Sequence, residues 1–319
     1  MGHISVMPKE ALELLRLPQG GTAVDGTLGL AGHSLLMAQA LGPQGHLIGI
    51  DRDNASLGQA KIKLASVDLK IDCPLPPGSQ QGGMNPNLDK NCSRIHLLQG
   101  SFSELDKILA SLKVSAVDGI LLDLGISSFQ LDDEARGFAF RFEGPLDMRM
   151  DPSQGVSAAD LVNTLKEAQL EKIIWEFGEE RFARRIAAAI VMQRAKAKIT
   201  TTKMLADTVL RALPKGYTRG RIHPATRTFQ ALRIEVNQEL EVLAQGLDVC
   251  FKSLKEGGRL CVISFHSLED RLVKNKFKSL GFEEDGLVLT KRPLVATDEE
   301  CADNPRSRSA KMRVIERIR

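Results

Sequence analysis

Short apolar runs alternate with helical stretches along the first third of the chain. Apolar runs of strand length occupy residues 21–25, 46–51, 94–100 and 117–124, with helical stretches at 33–41 and 54–67 among them. Strands separated by helices predict a parallel, doubly wound sheet. The fold class expected from this pattern is therefore α/β.

The pattern of apolar and polar residues changes in two later segments. Residues 68–93 are rich in Pro, Gly, Asn and Gln and show no apolar period, which predicts a surface insertion. After Asp151 the apolar positions recur at three- and four-residue steps. This pattern predicts a helix that follows Ser157 and runs to Leu165, and further helices at 167–177, 179–198 and 200–213.

The sheet pattern resumes after this helical block. A helix is predicted from Thr226 to Lys255, then a fifth strand from Arg259 to Phe265. Apolar and charged residues alternate from Ala310 to Ile318, which is typical of an edge strand. The expected organisation is a first sheet part at 1–131 with a surface insertion at 66–93, an inserted mainly helical domain at 132–222, and a second sheet part at 223–319.

The turn after the first strand contains Gly26, Gly29 and Gly32. Glycines at the start of a helix let the backbone approach a ligand closely. Their spacing differs from the dinucleotide GxGxxG motif, and no lysine occupies the Walker position. Asp51 ends the next strand, about twenty residues on, where an acid can accept hydrogen bonds from ribose hydroxyls. The pattern favours a methyltransferase that binds S-adenosylmethionine and leaves a nicotinamide enzyme or another α/β protein as alternatives.

The segment from Gly119 to Asp151 is the most informative part of the chain. An apolar run ends at Asp123 and opens into a long segment too irregular for a simple helix or strand. Ligands of open α/β sheets bind beyond the carboxyl ends of the strands, and loops positioned there often carry function. The sequence therefore predicts a binding site after Asp123.

Eight segments spread over almost the whole chain carry a family resemblance. They are residues 3–7, 25–34, 49–53, 118–151, 178–183, 223–234, 263–271 and 304–311. In these segments, and in this order, the sequence resembles the bacterial-type 16S ribosomal RNA cytosine-N4 methyltransferases. It departs from the family in having Ala31-Gly32-His33 where Gly-Gly-His is usual, in the insertion, and in a shortened segment between Phe282 and Pro293.

The resemblance implies a Rossmann-like class I methyltransferase fold with an inserted helical domain. It also implies S-adenosylmethionine as the cofactor and a cytosine of small-subunit ribosomal RNA as the substrate. The residues it places against the methyl donor are Ala31, Gly32, His33, Asp51, Phe102, Asp123 and Gln130. No metal site is expected. Taken singly, Phe102 could be a core residue, Gly32 a packing glycine and Asp123 a helix cap.

Methylation of the cytosine amine requires a localised lone pair, because that nitrogen is conjugated with the ring. The amine must be held close to the donor by hydrogen bonds. Many amino-methyltransferases use an Asp/Asn-Pro-Pro-aromatic loop, and this chain has Asp123-Leu-Gly-Ile-Ser at that place. The catalytic residue is left open, with Asp123 and His266 as candidates. A nucleophilic cysteine is not needed, since nitrogen attacks directly.

A target cytosine must leave its stack and enter a pocket with anchors around it. The candidates for RNA contact are His223, Arg227, Ser264 and Arg271. For each of these an ordinary structural role, as a helix-start residue or an ion-pair partner, remains open. Both segments that carry them are expected to face one crevice.

The composition limits which binding partners are expected for this protein. The net charge is only +3, so an RNA surface must come from local clusters such as those in residues 181–198, 215–221 and 306–311. The few aromatic residues argue against a stacking platform for single strands, and an assembled ribosomal subunit is the expected partner. No membrane partner is expected, and a homodimer is left open.

The five cysteines are scattered without a CxxC pair, which suits a reducing compartment. The expected location is the bacterial cytoplasm, with a chloroplast or mitochondrion after removal of a transit peptide as the alternative. The alternative functions are methylation of an amine in another nucleic acid and a non-catalytic role in ribosome assembly. The target nucleotide, the oligomeric state and the role of the insertion do not follow from the sequence.

Overall fold

The computed structural model describes residues 4–65, 71–72, 94–214, 217, 223–283 and 285–319. The chain divides into two compact units. The first contains residues 1–125 and 241–319, and the second contains residues 126–240. The sequence pattern placed the inserted helical domain at 132–222, a narrower range than the second unit.

An eight-stranded sheet forms the centre of the first unit. Its strands are β1 (Thr22–Asp25), β2 (His46–Asp51), β3 (Ile71–Asp72), β4 (Arg94–Gln99), β5 (Val117–Asp123), β6 (Leu254–Ser264), β7 (Gly286–Val288) and β8 (Lys311–Arg317). Their spatial order is β3-β4-β2-β1-β5-β6-β8-β7. The first six pair in parallel, whereas β8 is antiparallel to both β6 and β7. The α/β class and the Rossmann-like sheet predicted from the sequence are confirmed.

Thirteen α-helices occur among the described residues. They are α1 (Pro8–Leu15), α2 (Gly32–Leu41), α3 (Asn54–Ala65), α4 (Leu105–Ser111), α5 (Ser128–Asp132), α6 (Ala158–Thr164), α7 (Glu167–Gly178), α8 (Ala183–Lys196), α9 (Thr202–Ala212), α10 (Thr226–Asn237), α11 (Glu239–Lys252), α12 (Ser267–Phe282) and α13 (Asp298–Asp303).

The sheet is covered on both faces, as its alternating side chains require. One apolar cluster joins alternate residues such as Ala23 and Leu121 to α1, α2 and α3. The residues between them, such as Val24 and Leu122, join α4, α11 and α12 in a second cluster. The sheet is thus packed between two layers of helices, which fix the positions of the strand ends.

The second unit is built around a separate apolar core. Helices α6 to α10 supply most of it, with α7 packed against both α8 and α10. Ser157 begins α6 through a capping box with Asp160, and Thr201 caps α9. Because α10 packs on α7, this unit extends to residue 240, past the predicted boundary at 222.

The single helix predicted from Thr226 to Lys255 is wrong. The structure has two helices, α10 and α11, separated at Gln238. Gln238 adopts the left-handed conformation, with φ of 51°, and its N–H donates to Glu235 O. The apolar period continues through this break, so the hydrophobic pattern does not reveal it.

The predicted edge position of the last strand is also wrong, because β8 lies between β6 and β7. The charged residues that indicated an edge are paired inside the protein. Arg313 is only 6% exposed, and its Nε donates to Asp270 Oδ1 at 2.7 Å. The three-residue strand β7 on its outer side was not predicted. The fifth strand begins at Leu254, earlier than the predicted Arg259, and its register with β5 shifts between Val117 and Gly119.

Little of the predicted insertion is described by the structure. Apart from β3, the predicted insertion at 66–93 lies outside the described residues. Among the residues that the structure describes, no helix is both long and apolar enough to span a bilayer.

Candidate functional site

Acidic residues gather where β1, β2 and β5 end. Asp25, Asp51 and Asp123 are the last residues of these neighbouring parallel strands. Asp123 lies opposite Ile263 of β6, so the loop after β6 leaves the sheet at the same edge. This is the edge at which open α/β sheets bind their ligands.

Asp25 ties the first strand to the start of α2. Ser34 Oγ donates to Asp25 Oδ2 at 2.6 Å, and Thr27 N–H donates to Oδ1 at 3.2 Å. Burial raises the pKa of Asp25, against the hydrogen bond from Ser34. Asp25 and Ser34 were not among the predicted site residues, although an acid that ends a strand before a glycine turn is a signal for such a role.

His33, which is buried, pairs with the partly buried Asp123. His33 Nε2 lies 3.6 Å from Asp123 Oδ2, and His33 is 5% exposed. The Asp123 N–H donates to Thr27 Oγ1 at 2.6 Å, which holds the end of β5 against the glycine turn. Burial, the largest influence, lowers the pKa of His33, but the carboxylates of Asp123, Asp25 and Glu300 together outweigh it and the pKa is raised.

This pair has polar atoms that no described residue satisfies. Both ring nitrogens of His33 and Oδ1 of Asp123 are buried without a hydrogen-bond partner among the residues that the structure describes. Such atoms are rare in folded proteins and need an explanation, such as a ligand. A polar ligand bound at this edge would supply it.

Asp51 accepts two backbone hydrogen bonds at the end of β2. The N–H of Gly29 donates to Oδ2 and that of Asp53 to Oδ1, each at 2.8 Å. Burial raises the pKa of Asp51 to about 6 despite these bonds. Each oxygen keeps a further lone pair, so the carboxylate can still accept from two hydroxyls of a ligand.

The glycine turn is shaped mainly by packing. A Cβ at Gly26 would lie 2.5 Å from Leu122 Cδ2 and 3.0 Å from Phe102 Cβ. Gly29 has φ of 49°, and Ala31, the N-cap of α2, has φ of 56°. Ala31 thus adopts, at some cost, the left-handed conformation for which glycine is best suited.

Phe102 begins the turn after β4 and is 8% exposed. Its ring packs on Gly246 of α11, where a Cβ would lie 2.3 Å from ring carbons Cδ2 and Cε2. This contact gives Phe102 a packing role, and its predicted contact with the adenine side of the donor stays a prediction.

Gln130 belongs to the second unit. It is 4% exposed, and its Oε1 accepts from Ser127 N–H, while Ser127 Oγ accepts from Gln130 N–H. This reciprocal capping box begins α5. Its predicted donor contact likewise stays a prediction.

The loop after β6 is organised by Glu269. The N–H groups of Phe265 and His266 donate to Glu269 Oε2 at 2.8 and 3.3 Å, and His266 Nδ1 accepts from Glu269 N–H at 3.4 Å. His266 is therefore the N-cap of α12. Its Nε2 is buried without a hydrogen bond, 3.2 Å from Glu269 Oε1.

The four candidates for RNA contact occupy different environments. In the first unit, Ser264 is buried and its hydroxyl donates to Lys311 O at 3.3 Å, whereas Arg271 is exposed on α12. In the second unit, His223 stacks on Phe140 with ring centres 4.3 Å apart. Arg227 is about half exposed and donates to Glu179 O at 3.1 Å. The prediction that these segments face one crevice stays a prediction.

Two of the cysteines are buried thiols. Burial raises the pKa of Cys250 and of Cys261, so neither is a ready nucleophile. Cys73 and Cys92, like the basic residues Lys215, Arg219 and Arg221, lie outside the described residues.

The sequence is similar to known proteins over almost the full length of the chain. The sequence model of the MraW methylase family matches residues 1–73 and 83–318. A Deinococcus deserti protein named ribosomal RNA small subunit methyltransferase H is 50% identical over 316 residues, covering 99% of this chain and 93% of that protein. A relative of the same name from Pelobacter propionicus is 47% identical over 332 residues, covering 99% and 98%.

Among solved structures, a putative rRNA methylase from Clostridium thermocellum covers 100% of this chain and is covered to 99%. Its TM-score is 0.46 and its sequence identity 11%, a likeness too distant to support a statement about function.

Proposed function

The chain belongs to the MraW methylase family, and from this premise we propose that it transfers a methyl group from S-adenosylmethionine to the exocyclic N4 amine of a specific cytosine in small-subunit ribosomal RNA. The observation that carries the proposal is the identity of 45–50% over 99% of the chain to proteins named ribosomal RNA small subunit methyltransferase H. The family resemblance noted in the sequence is thereby confirmed.

The residues at the strand ends fit the methyl donor. Unsatisfied polar atoms on His33 and Asp123 and the free lone pairs of Asp51 match a ligand with an amino-acid end and a ribose. We assign Ala31, Gly32 and His33 to the amino-acid end and Asp51 to the ribose. Phe102, Asp123 and Gln130 complete the proposed donor site.

When bound, the donor supplies a methyl group on a positively charged sulfur. The protein's contribution is to position the cytosine amine in line with that methyl group and to exclude water. Asp123 Oδ1 has no hydrogen-bond partner in the described part of the chain, so it can accept a hydrogen bond from the amine. Such a bond localises the nitrogen lone pair that attacks.

His33 and the cytosine amine are proposed to use different oxygens of Asp123. His33 Nε2 lies 3.6 Å from Oδ2, which leaves Oδ1 for the amine. We therefore assign Asp123 to orientation of the amine. His266 is proposed to support the loop after β6, because it is the N-cap of α12 and its Nδ1 accepts a hydrogen bond from Glu269 N–H.

The RNA is proposed to reach the site within an assembled small subunit, in the cytoplasm of a bacterium. His223, Arg227 and Arg271 are proposed as RNA contacts, and the homodimer remains a proposal. Buried Ser264 is proposed to act indirectly, through the backbone of β8.

The test is incubation of the purified protein with labelled S-adenosylmethionine and small ribosomal subunits that lack the modification. The RNA is then digested and the labelled nucleoside identified. Labelled N4-methylcytidine supports the proposal. Label in naked DNA or RNA oligomers but not in subunits would support a different nucleic-acid substrate.

Asp123→Asn provides the matched control, because it keeps the side-chain size and removes the charge. It should bind subunits normally and lose most of the methyl transfer. Unlabelled subunits with the wild-type protein, despite donor and subunit binding, would support a non-catalytic assembly factor.

A further inference from the structure

Residues 4–7 form a short strap beside the glycine turn. Ile4 is exposed, whereas Ser5, Val6 and Met7 are buried, Met7 completely. Val6 and Met7 belong to the same apolar cluster as Ala31, which precedes α2. The strap is thus part of the packed structure around the start of α2.

Two hydrogen bonds from a distant part of the chain tie the strap down. The N–H of Met7 donates to Glu300 Oε1 at 2.7 Å, and Asn304 Nδ2 donates to Ile4 O at 3.1 Å. Glu300 lies on α13, which Thr297 caps, and Asn304 is 6% exposed. Both ends of the strap are therefore held by one segment, 297–304.

Ser5 fills the space that a side chain at position 32 would need. A Cβ on Gly32 would lie 1.9 Å from Ser5 Oγ and 3.3 Å from Ser5 Cβ. Gly32 is the first residue of α2 and is not among the residues with positive φ. Its backbone conformation suits any residue, so it is the contact with Ser5 that disfavours a side chain at this position.

We propose that Ser5 is a positioning residue for the methyl donor, and that residue 32 is glycine in order to admit it. This inference rests on the proposed function, because Gly32 and His33 are assigned to the donor. Ser5 packs on the turn from the strap side and keeps the first residues of α2 in place. A displaced turn would move His33 away from Asp123, and with it the polar atoms assigned to the amino-acid end of the donor.

The test is a double-mutant cycle on Gly32→Ala and Ser5→Gly. We measure the thermal unfolding temperature without ligand and the dissociation constant for S-adenosylmethionine by calorimetry, well below every unfolding transition. Gly58→Ala is the matched control, because a Cβ at that helical glycine meets nothing within 4 Å. It should leave donor affinity unchanged and raise the unfolding temperature slightly, because alanine favours a helix interior more than glycine does.

Gly32→Ala should lower the unfolding temperature and weaken donor binding by about tenfold, the effect expected of one overpacked atom. Adding Ser5→Gly should restore both, bringing the affinity to within about threefold of that of Ser5→Gly alone. A double variant that binds the donor about tenfold more weakly than Ser5→Gly alone would show that the donor itself occupies the space, and would overturn the proposal. A double variant that does not fold, beside a folded Ser5→Gly variant, would also overturn it, because removal of the Ser5 side chain should relieve the contact.

A kinetic measurement separates positioning from simple stability. Ser5→Ala should raise KM for the donor while kcat at saturating donor and KM for the subunit stay unchanged. A fall in kcat alone, or in unfolding temperature alone, would contradict a positioning role. Thermal coupling between positions 5 and 32 does not involve the donor, so a wild-type protein that fails to bind it would refute the proposed function and leave the coupling testable.

The hydrogen bond that Met7 N–H donates to Glu300 gives an independent test. Glu300→Gln keeps an oxygen that accepts from Met7 N–H, whereas Glu300→Ala removes it. Donor affinity should fall further in the alanine variant than in the glutamine variant. Equal losses would mean that the charge of Glu300 matters and the tie does not.

Discussion

His33 Nε2 lies 3.6 Å from Asp123 Oδ2, and this pair links the start of α2 to the end of β5. The two residues are 90 positions apart in the sequence, and only the parallel pairing of β1 with β5 brings them together. Because the carboxylate raises the pKa of His33, the pair's contribution to stability is fully present below about pH 6.5. It is lost as the pH rises through the raised pKa.

Asp123→Asn should lower the pKa of His33, because burial then acts without its main opposing charge. Titration of the His33 ring signals by NMR measures this shift. Glu300→Gln is the control, since Glu300 is the weakest of the charges that raise this pKa. A His33 pKa that is the same in wild type and Asp123→Asn would contradict the pairing.

Donor affinity should depend on the ionisation of Asp51. The carboxylate accepts hydrogen bonds from hydroxyls, and its pKa in the free protein is about 6. Affinity should therefore be constant above that pH and fall roughly tenfold per unit below it. Calorimetric titrations across the range measure this. Asp51→Asn should bind weakly with a flatter pH profile; an equally steep profile would assign the dependence to His33 or Asp25.

Ser34→Ala should destabilise the protein by about 1–3 kcal/mol, because it leaves the buried Asp25 carboxylate without its closest donor. The pKa of Asp25 should rise further. Urea unfolding measures the loss, with Ser111→Ala as the control, because that exposed hydroxyl bonds only a helix carbonyl. A loss no greater than that of the control would show that the Asp25–Ser34 bond contributes little.

Gln238→Gly should stabilise the protein by about 0.5–1 kcal/mol, because glycine adopts the left-handed conformation without the steric cost. Gln238 is exposed, so little packing is lost. Gln238→Ala keeps the Cβ and should show no gain. If the alanine variant were as stable as the glycine variant, the strain at this junction would be refuted.

The helices and strands that carry strong local patterns were predicted closely. Apolar runs ending at Asp51 and Asp123 define β2 and β5 to within a residue, because strand length and burial are local properties of the sequence. The break at Gln238 was missed because the apolar period runs through it. The position of β8 was missed because Arg313 pairs with Asp270, which is 43 positions away.

By itself, the sequence determined the α/β class, the family and the acids that end the strands. Hydrophobic periodicity and long motifs are formed by residues that are close together in the sequence. Only the tertiary structure decided which groups meet at those strand ends. It paired His33 with Asp123, placed Ser34 on Asp25 and set Ser5 against Gly32. These contacts join residues far apart in sequence or on different elements, and such contacts depend on how strands register and helices pack, which no local pattern encodes.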